Sequence, residues 1–259
     1  MKRFAKLLLP AILLSLAFPM LRYVSQAAPR TAPGQSKIAK ARQTAQPWTG
    51  SPLGPNDAFE APDRAQVLRI ETVMNDLRIV PGAKVADIGA GGGWFSMLAA
   101  RRVGPQGVVY AEDILRKYTN FIAQRAKREG LTNVRTILGT VTDPKLPRNT
   151  LDAVLILNAY HEFELPLAVL RKIHLSLKAG ARLGFIERDN EDLRREAQVT
   201  YAKTGQIKRR VDERTDHNPL TDDHRLAREI VEREAKSVGF RSVTNYDLGA
   251  DHYVVIVEK

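Results

Sequence analysis

An acid followed by alternating glycines stands out: Asp87-Ile88-Gly89-Ala90-Gly91-Gly92-Gly93. A glycine turn lets backbone approach a ligand closely, because no β-carbon stands in the way. Two ligand chemistries compete for such a turn. A pyrophosphate site needs a third glycine, in the pattern G-x-G-x-x-G. Counted from Gly89 that position is Trp94, and counted from Gly91 it is Ser96, so the pattern fails both ways. The pattern that fits is Asp87 with Gly89, Gly91 and Gly93. A carboxylate beside the turn suits a cation and would oppose a phosphate.

S-adenosylmethionine has that chemistry: an α-ammonium, a sulfonium and no phosphate. Its ribose offers two adjacent hydroxyls, which a carboxylate at the end of the second strand accepts. Glu112 and Asp113 lie 25 and 26 residues beyond Asp87. Asp113 is the preferred candidate, and Glu112 reads as a solvated carboxylate.

A second group of reactive residues is Asn158-Ala159-Tyr160-His161-Glu162. His161 can take a proton or orient a substrate, or simply bond the next helix start. Tyr160 can cover a ligand or pack. Glu187-Arg188-Asp189 reads either as a solvated turn or as substrate contacts. His161, Glu162, Glu187 and His224 match no metal-ligand spacing, and no metal is expected. The sequence has no cysteine, which excludes disulfides, zinc–thiolate sites and cysteine nucleophiles.

Alternating elements must position these groups. Val67, Ile70, Val73, Met74 and Leu77 recur at helical spacing from Ala61 onward, and Pro81-Gly82 ends that helix. Strands are expected at Lys84–Ile88, Val108–Ala111, Val134–Leu138, Leu151–Leu157 and Ala181–Ile186. Helices are expected at Trp94–Arg102, Leu115–Arg128 and Leu165–Leu177, the last ended by Gly180. A capped helix follows over Thr221–Val238, then strands Arg241–Asp247 and Tyr253–Val257. Only Leu248–His252 separate the last two strands, so they form an antiparallel hairpin. The fold class is α/β, a doubly wound and mostly parallel sheet between two helical layers.

On these motifs, residues 62–188 and the closing helix-hairpin resemble the class I, seven-stranded S-adenosylmethionine-dependent methyltransferases. The resemblance implies strand order 3-2-1-4-5-7-6 with strand 7 antiparallel. It implies that Asp87, Gly89, Ala90, Gly91 and Gly93 line the methionine end, with Asn158 beside them. By the same resemblance Asp113 holds the ribose, and Thr140 and Val141 lie near the adenine. His161 and Tyr160 become the candidate catalytic residues. Amino-group methylases of DNA or glutamine carry Asn/Asp-Pro-Pro-Tyr/Phe after the fourth strand, whereas here no proline follows Asn158. The Tyr-His-Glu-Phe segment, the leader and His224-Arg225 are similar to bacterial methyltransferases with signal peptides. The expected activity is methyl transfer to a small-molecule or lipid-like acceptor. A non-catalytic cofactor-binding module in an extracytoplasmic setting, and an RNA or protein methylase, are the competing readings.

Charge and order bound the rest. Of the net charge of +11, residues 1–50 carry +8 through Lys2, Arg3, Lys6, Arg22, Arg30, Lys37, Lys40 and Arg42, with no acid. The remainder is nearly balanced, and nucleic-acid binding is not expected. Basic Met1–Lys6, apolar Leu7–Leu21 and small Ser25-Gln26-Ala27 have the layout of a signal peptide. Residues 1–28 are therefore a signal peptide or membrane anchor, 29–56 a linker, and 57–259 the methyltransferase domain with a charged insert at about 188–219. Export or membrane association through the N-terminus is the expectation.

Overall fold

The continuous apolar run Leu151–Leu157 occupies the middle of the sheet, where a strand covered on both faces must be apolar throughout. The computed structural model describes residues 61, 63–189, 225–249 and 251–259. The strands are β1 (Lys84–Ile88), β2 (Val108–Asp113), β3 (Val134–Leu138), β4 (Leu151–Leu157), β5 (Leu177–Arg188), β6 (Arg241–Gly249) and β7 (His252–Glu258). They form one seven-stranded sheet in the order β3-β2-β1-β4-β5-β7-β6. Pairing from β3 to β5 is parallel, and β7 runs antiparallel to both β5 and β6. The expected fold class and strand order are thus the observed ones.

Alternate residues of each strand face opposite helical layers. Ala86, Ile88, Val154, Ile156, Leu183 and Phe185 pack beneath α5 (Pro166–Ser176) and α6 (Arg228–Ser237), which contribute Leu170, Ile173, Ile230 and Val231. Val85, Val109, Ala153, Leu155 and Ile186 pack on the other face. Their partners are α2 (Ile70–Asp76), through Val73 and Met74, with Leu77 just beyond it, and α3 (Trp94–Val103), through Phe95 and Ala99. α4 (Arg116–Arg128) adds Ile122 and Ala126 against Met97 of α3.

Three elements differ from the sequence expectation. The helix expected from Ala61 is two pieces, α1 (Arg64–Val67) and α2, separated at Arg69, whose φ of 44° is left-handed. Leu68 rather than Val67 is buried as a result, and Val67 is 40% exposed. β5 begins at Leu177, which pairs with Leu151 before the register shifts to Arg182 opposite Ala153. Gly180 therefore lies inside the strand span and does not end the preceding helix. The last helix starts at Arg228 after the extended Ala227, so Arg225–Ala227 of the expected helix are not helical. Thr221, with its expected cap, lies outside the described residues, as do residues 1–28, the linker, His217 and His224. Among the described residues no helix is long and apolar enough to cross a membrane.

Candidate functional site

The ends of β1 and β2 and the turn after β3 meet at one place. Gly89, Gly91 and Gly93 all adopt positive φ, at 67°, 52° and 75°. Gly89 also sits so close to the end of β4 that a Cβ there would lie 2.7 Å from Ala159 Cβ. A side chain at 89 would thus be excluded by conformation and by space. The turn is held by its neighbours. Ala90 N–H donates to Glu112 O (2.8 Å), Gly91 N–H to Asp113 Oδ2 (3.0 Å), and Arg125 Nη1 of α4 to Gly92 O (3.0 Å).

Three carboxylates converge here, all buried: Asp87, Glu112 and Asp113. Asp87 accepts a hydrogen bond from Ser96 Oγ at 2.6 Å, from the first turn of α3. Burial raises its pKa to about 6, against the opposing effects of Ser96 and Arg64. Glu112 is pushed well above the ordinary carboxylate range, first by burial and then by Asp113. It is therefore no solvated side chain, in contrast to the sequence expectation. Its Oε2 accepts the Gly89 N–H at 3.4 Å, and Gly139 leaves the space it fills. Asp113 Oδ1 accepts Leu115 N–H at 2.8 Å, which orients its carboxyl at the strand end.

Thr140 and Val141 follow Gly139, whose N–H donates to Asp113 O at 3.1 Å. Thr140 and Asp143 close a tight turn by exchanging backbone hydrogen bonds of 2.9 and 3.3 Å. Thr140 and Val141 thus follow directly on the residue that bonds the end of β2.

After β4 the chain turns sharply at Asn158, whose φ is 48°. Its N–H donates to Ile186 O at 2.8 Å. Asn158 Oδ1 is buried without a hydrogen-bond donor among the described residues. An acceptor left so costs on the order of 1–3 kcal/mol and calls for a partner.

Glu187 and Asp189 are fully buried, so the solvated-turn reading of this segment is replaced. Glu187 Oε1 accepts the N–H groups of Ala159 (3.0 Å) and Tyr160 (2.6 Å). Its Oε2 lies 2.8 Å from His161 Nδ1. Tyr160 is fully buried between Phe163 and Phe185, at ring distances of 5.2 and 5.0 Å, and its hydroxyl donates to Glu234 of α6 at 2.6 Å. That placement makes Tyr160 a packing residue rather than a cover for a ligand. Sequence reasoning passed over Ser96, Arg125 and the buried roles of Glu112 and Glu187. An acid directly after the apolar run Leu183–Ile186, as Glu187 is, is the signal that could have found the last of these.

Residues 85–180 match the model of a family described as a methyltransferase domain. The demethylmenaquinone methyltransferase of Geobacillus sp. (strain WCH70) is 27% identical over 117 residues, covering 45% of this chain and 50% of that protein. The nocamycin O-methyltransferase of Saccharothrix syringae is 38% identical over 74 residues, 29% of this chain and 26% of that one. The chain thus spans about half the length, or less, of these curated relatives. A solved S-adenosylmethionine-dependent methyltransferase from Aquifex aeolicus superposes with a TM-score of 0.60 at 21% identity, covering 76% of this chain and 92% of its own. Residues 85–180 are thus similar to a methyltransferase domain, and the chain has the seven-stranded fold seen in a solved S-adenosylmethionine-dependent methyltransferase.

Proposed function

We propose that this protein is a methyltransferase that binds S-adenosylmethionine and transfers its methyl group by in-line displacement to a small-molecule or lipid-like acceptor. The observation that carries the reading is the donorless, buried Asn158 Oδ1 at the glycine turn, in line with the acid-lined edge of β1 and β2. An orphaned acceptor beside carboxylates suits a ligand that brings an ammonium and hydroxyls.

S-adenosylmethionine, when bound, supplies an activated methyl on a sulfonium. The chain's residues hold and orient. Asn158 Oδ1 and the Asp87 edge accept from the ammonium end, with Gly89, Ala90, Gly91 and Gly93 giving close backbone approach. Asp113 accepts from the ribose hydroxyls, and Thr140 and Val141 flank the adenine. Ala159 walls the turn from the acceptor side. Positioning and exclusion of water are the main catalytic contributions such a displacement needs. The small-molecule class is supported by the relatives, whose names give demethylmenaquinone and nocamycin as what they act on or make.

Calorimetric titration of the full-length protein with S-adenosylmethionine tests the reading. Saturable binding that Asp87→Ala abolishes is expected, and no binding by the wild type sinks it. The leader, residues 1–28, is proposed to direct export or to hold the protein at a membrane. Cell fractionation with sequencing of the mature N-terminus decides this: soluble cytoplasmic protein still beginning at Met1 would refute it.

A further inference from the structure

The end of β4 carries a histidine that is built into place. His161 stands on a single 3-10 turn (Tyr160–Glu162), and its side chain is only 11% exposed. The turn is pinned from β5 by Glu187, which is fully buried and, among the described residues, takes three hydrogen bonds. Two come from the backbone at the start of the turn, Ala159 and Tyr160, and the third is His161 Nδ1 at 2.8 Å. One carboxyl thus fixes both the backbone that presents the imidazole and the ring itself. Ala159, whose N–H Glu187 holds, has its β-carbon 2.7 Å from where a Cβ on Gly89 would stand. The start of the turn that carries His161 therefore borders the glycine turn.

We infer that His161 is the general base of the reaction, that Glu187 is its positioning residue, and that the acceptor is a hydroxyl compound whose proton must be removed, of the phenol or enol class. This rests on the methyltransferase reading above.

The geometry gives each residue its part. A carboxylate only accepts, so the bond at Nδ1 places the proton on Nδ1 and leaves Nε2 as the basic nitrogen. In the reaction Nε2 takes the hydroxyl proton as the acceptor forms its bond to the methyl carbon. The carbon–sulfur bond breaks, its electron pair stays on sulfur, and the sulfonium becomes a neutral thioether. The imidazolium then returns its proton to water. An oriented base of this kind contributes typically about 10²–10⁴-fold. Amine or thioether acceptors with a free lone pair would need no such base.

Other charged or titratable groups surround the pair. Glu162 Oε1 is 3.9 Å from Nε2 on the same turn. Tyr160 with Glu234 of α6, and Tyr253 of β7 with Asp189 and Arg228, lie around Glu187, and Glu187 helps raise the Tyr253 pKa after burial has done so.

Glu187→Gln tests the arrangement without emptying the space. The amide oxygen still accepts the two backbone N–H groups. The amide nitrogen, however, donates to Nδ1 and forces the proton onto Nε2, so the base is lost while the fold is kept. Full-length wild type and variant are compared on two probes, 1-naphthol and a nitro-substituted naphthol already ionised at the assay pH, with tritiated-methyl S-adenosylmethionine. The expected result is a fall in kcat of about 100-fold or more on 1-naphthol and of less than about 5-fold on the ionised probe, with cofactor affinity unchanged. The wild-type rate on 1-naphthol rises with pH along a one-proton limb that Glu187→Gln removes, and that His161→Gln removes as well. Equal losses on both probes, no loss on either, or no wild-type transfer to either while the cofactor binds would overturn the inference. A wild type that binds no cofactor would instead overturn the reading on which it rests.

Discussion

Asp87 is a buried acid that the ligand-free molecule pays for. Its pKa is raised to about 6 by burial, above the ordinary 3.8. The folded chain therefore binds this proton more tightly than the unfolded one. Stability is highest below about pH 4, falls as pH rises through 6, and is flat above, with a span of about 3 kcal/mol for this group. Asp87→Asn keeps the shape and removes the charge, so urea denaturation at pH 7 is expected to show a ligand-free protein stabilised by up to about 3 kcal/mol. The same substitution should weaken S-adenosylmethionine binding at least about tenfold, because the cation loses its carboxylate. A loss of both stability and affinity would show that Asp87 is structural. Asp87 was legible in the sequence through its spacing from the glycines. The burial of its companion Glu112 was not, because two adjacent acids at a strand end look alike until β3 and Gly139 close over one of them.

Elements were legible where a residue pattern has only one reading. The strand Leu151–Leu157 was read from its unbroken apolar run, and the closing hairpin from the short connection between its strands. The first helix was misread because 3.6-residue periodicity does not show a break. A left-handed Arg69 turns the second half so that Leu68 takes the core place expected of Val67. The start of β5 was read four residues late because a glycine with positive φ mimics a helix stop, whereas here it accompanies a register shift between β4 and β5. The central strand carries the consequence for stability. Leu155 is fully buried, facing α2 and α3, and its Cδ1 lies 3.2 Å from where a Cβ on Gly184 of β5 would stand. Leu155→Ala is expected to cost about 2–5 kcal/mol, read as a lower denaturation midpoint with unchanged slope. A cost below about 1 kcal/mol would mean that the neighbours collapse into the space.

At the scale of the whole molecule, the antiparallel β7 joins the parallel part of the sheet to β6. It pairs with β5 along seven residues and with β6 on its other side, and Lys259 completes the seam through bonds to Ala181 and Gly180. Its inward residues, among them Tyr253 and Val255, belong to the same core as α5 and α6. Tyr253 also donates to Leu226 O (2.8 Å), and Leu226 N–H donates to Arg188 O (2.7 Å), so β7 fixes the chain just before α6 beside the end of β5. Removing residues 252–259 should therefore expose the edge of β5 and yield protein without a cooperative thermal transition, and a retained transition would contradict this. The seven-strand order was legible in the sequence only through resemblance. The local pattern offers strands and helices but not which strand lies beside which, since parallel neighbours are chosen by crossovers the sequence does not mark.

The contact between Glu112 and Gly139 has a consequence for how sequences like this one vary. A Cβ at 139 would come within 1.8 Å of Glu112 Oε1, inside a space that is already closed. The two positions are thus one choice made twice, a long acid at one with nothing at the other. In related chains a larger residue at 139 should travel with a shorter one at 112. In the laboratory, Gly139→Ala should disturb S-adenosylmethionine binding in the wild-type background and cost much less beside Glu112→Ser. A double-mutant cycle with additive effects would show that the two positions drift independently.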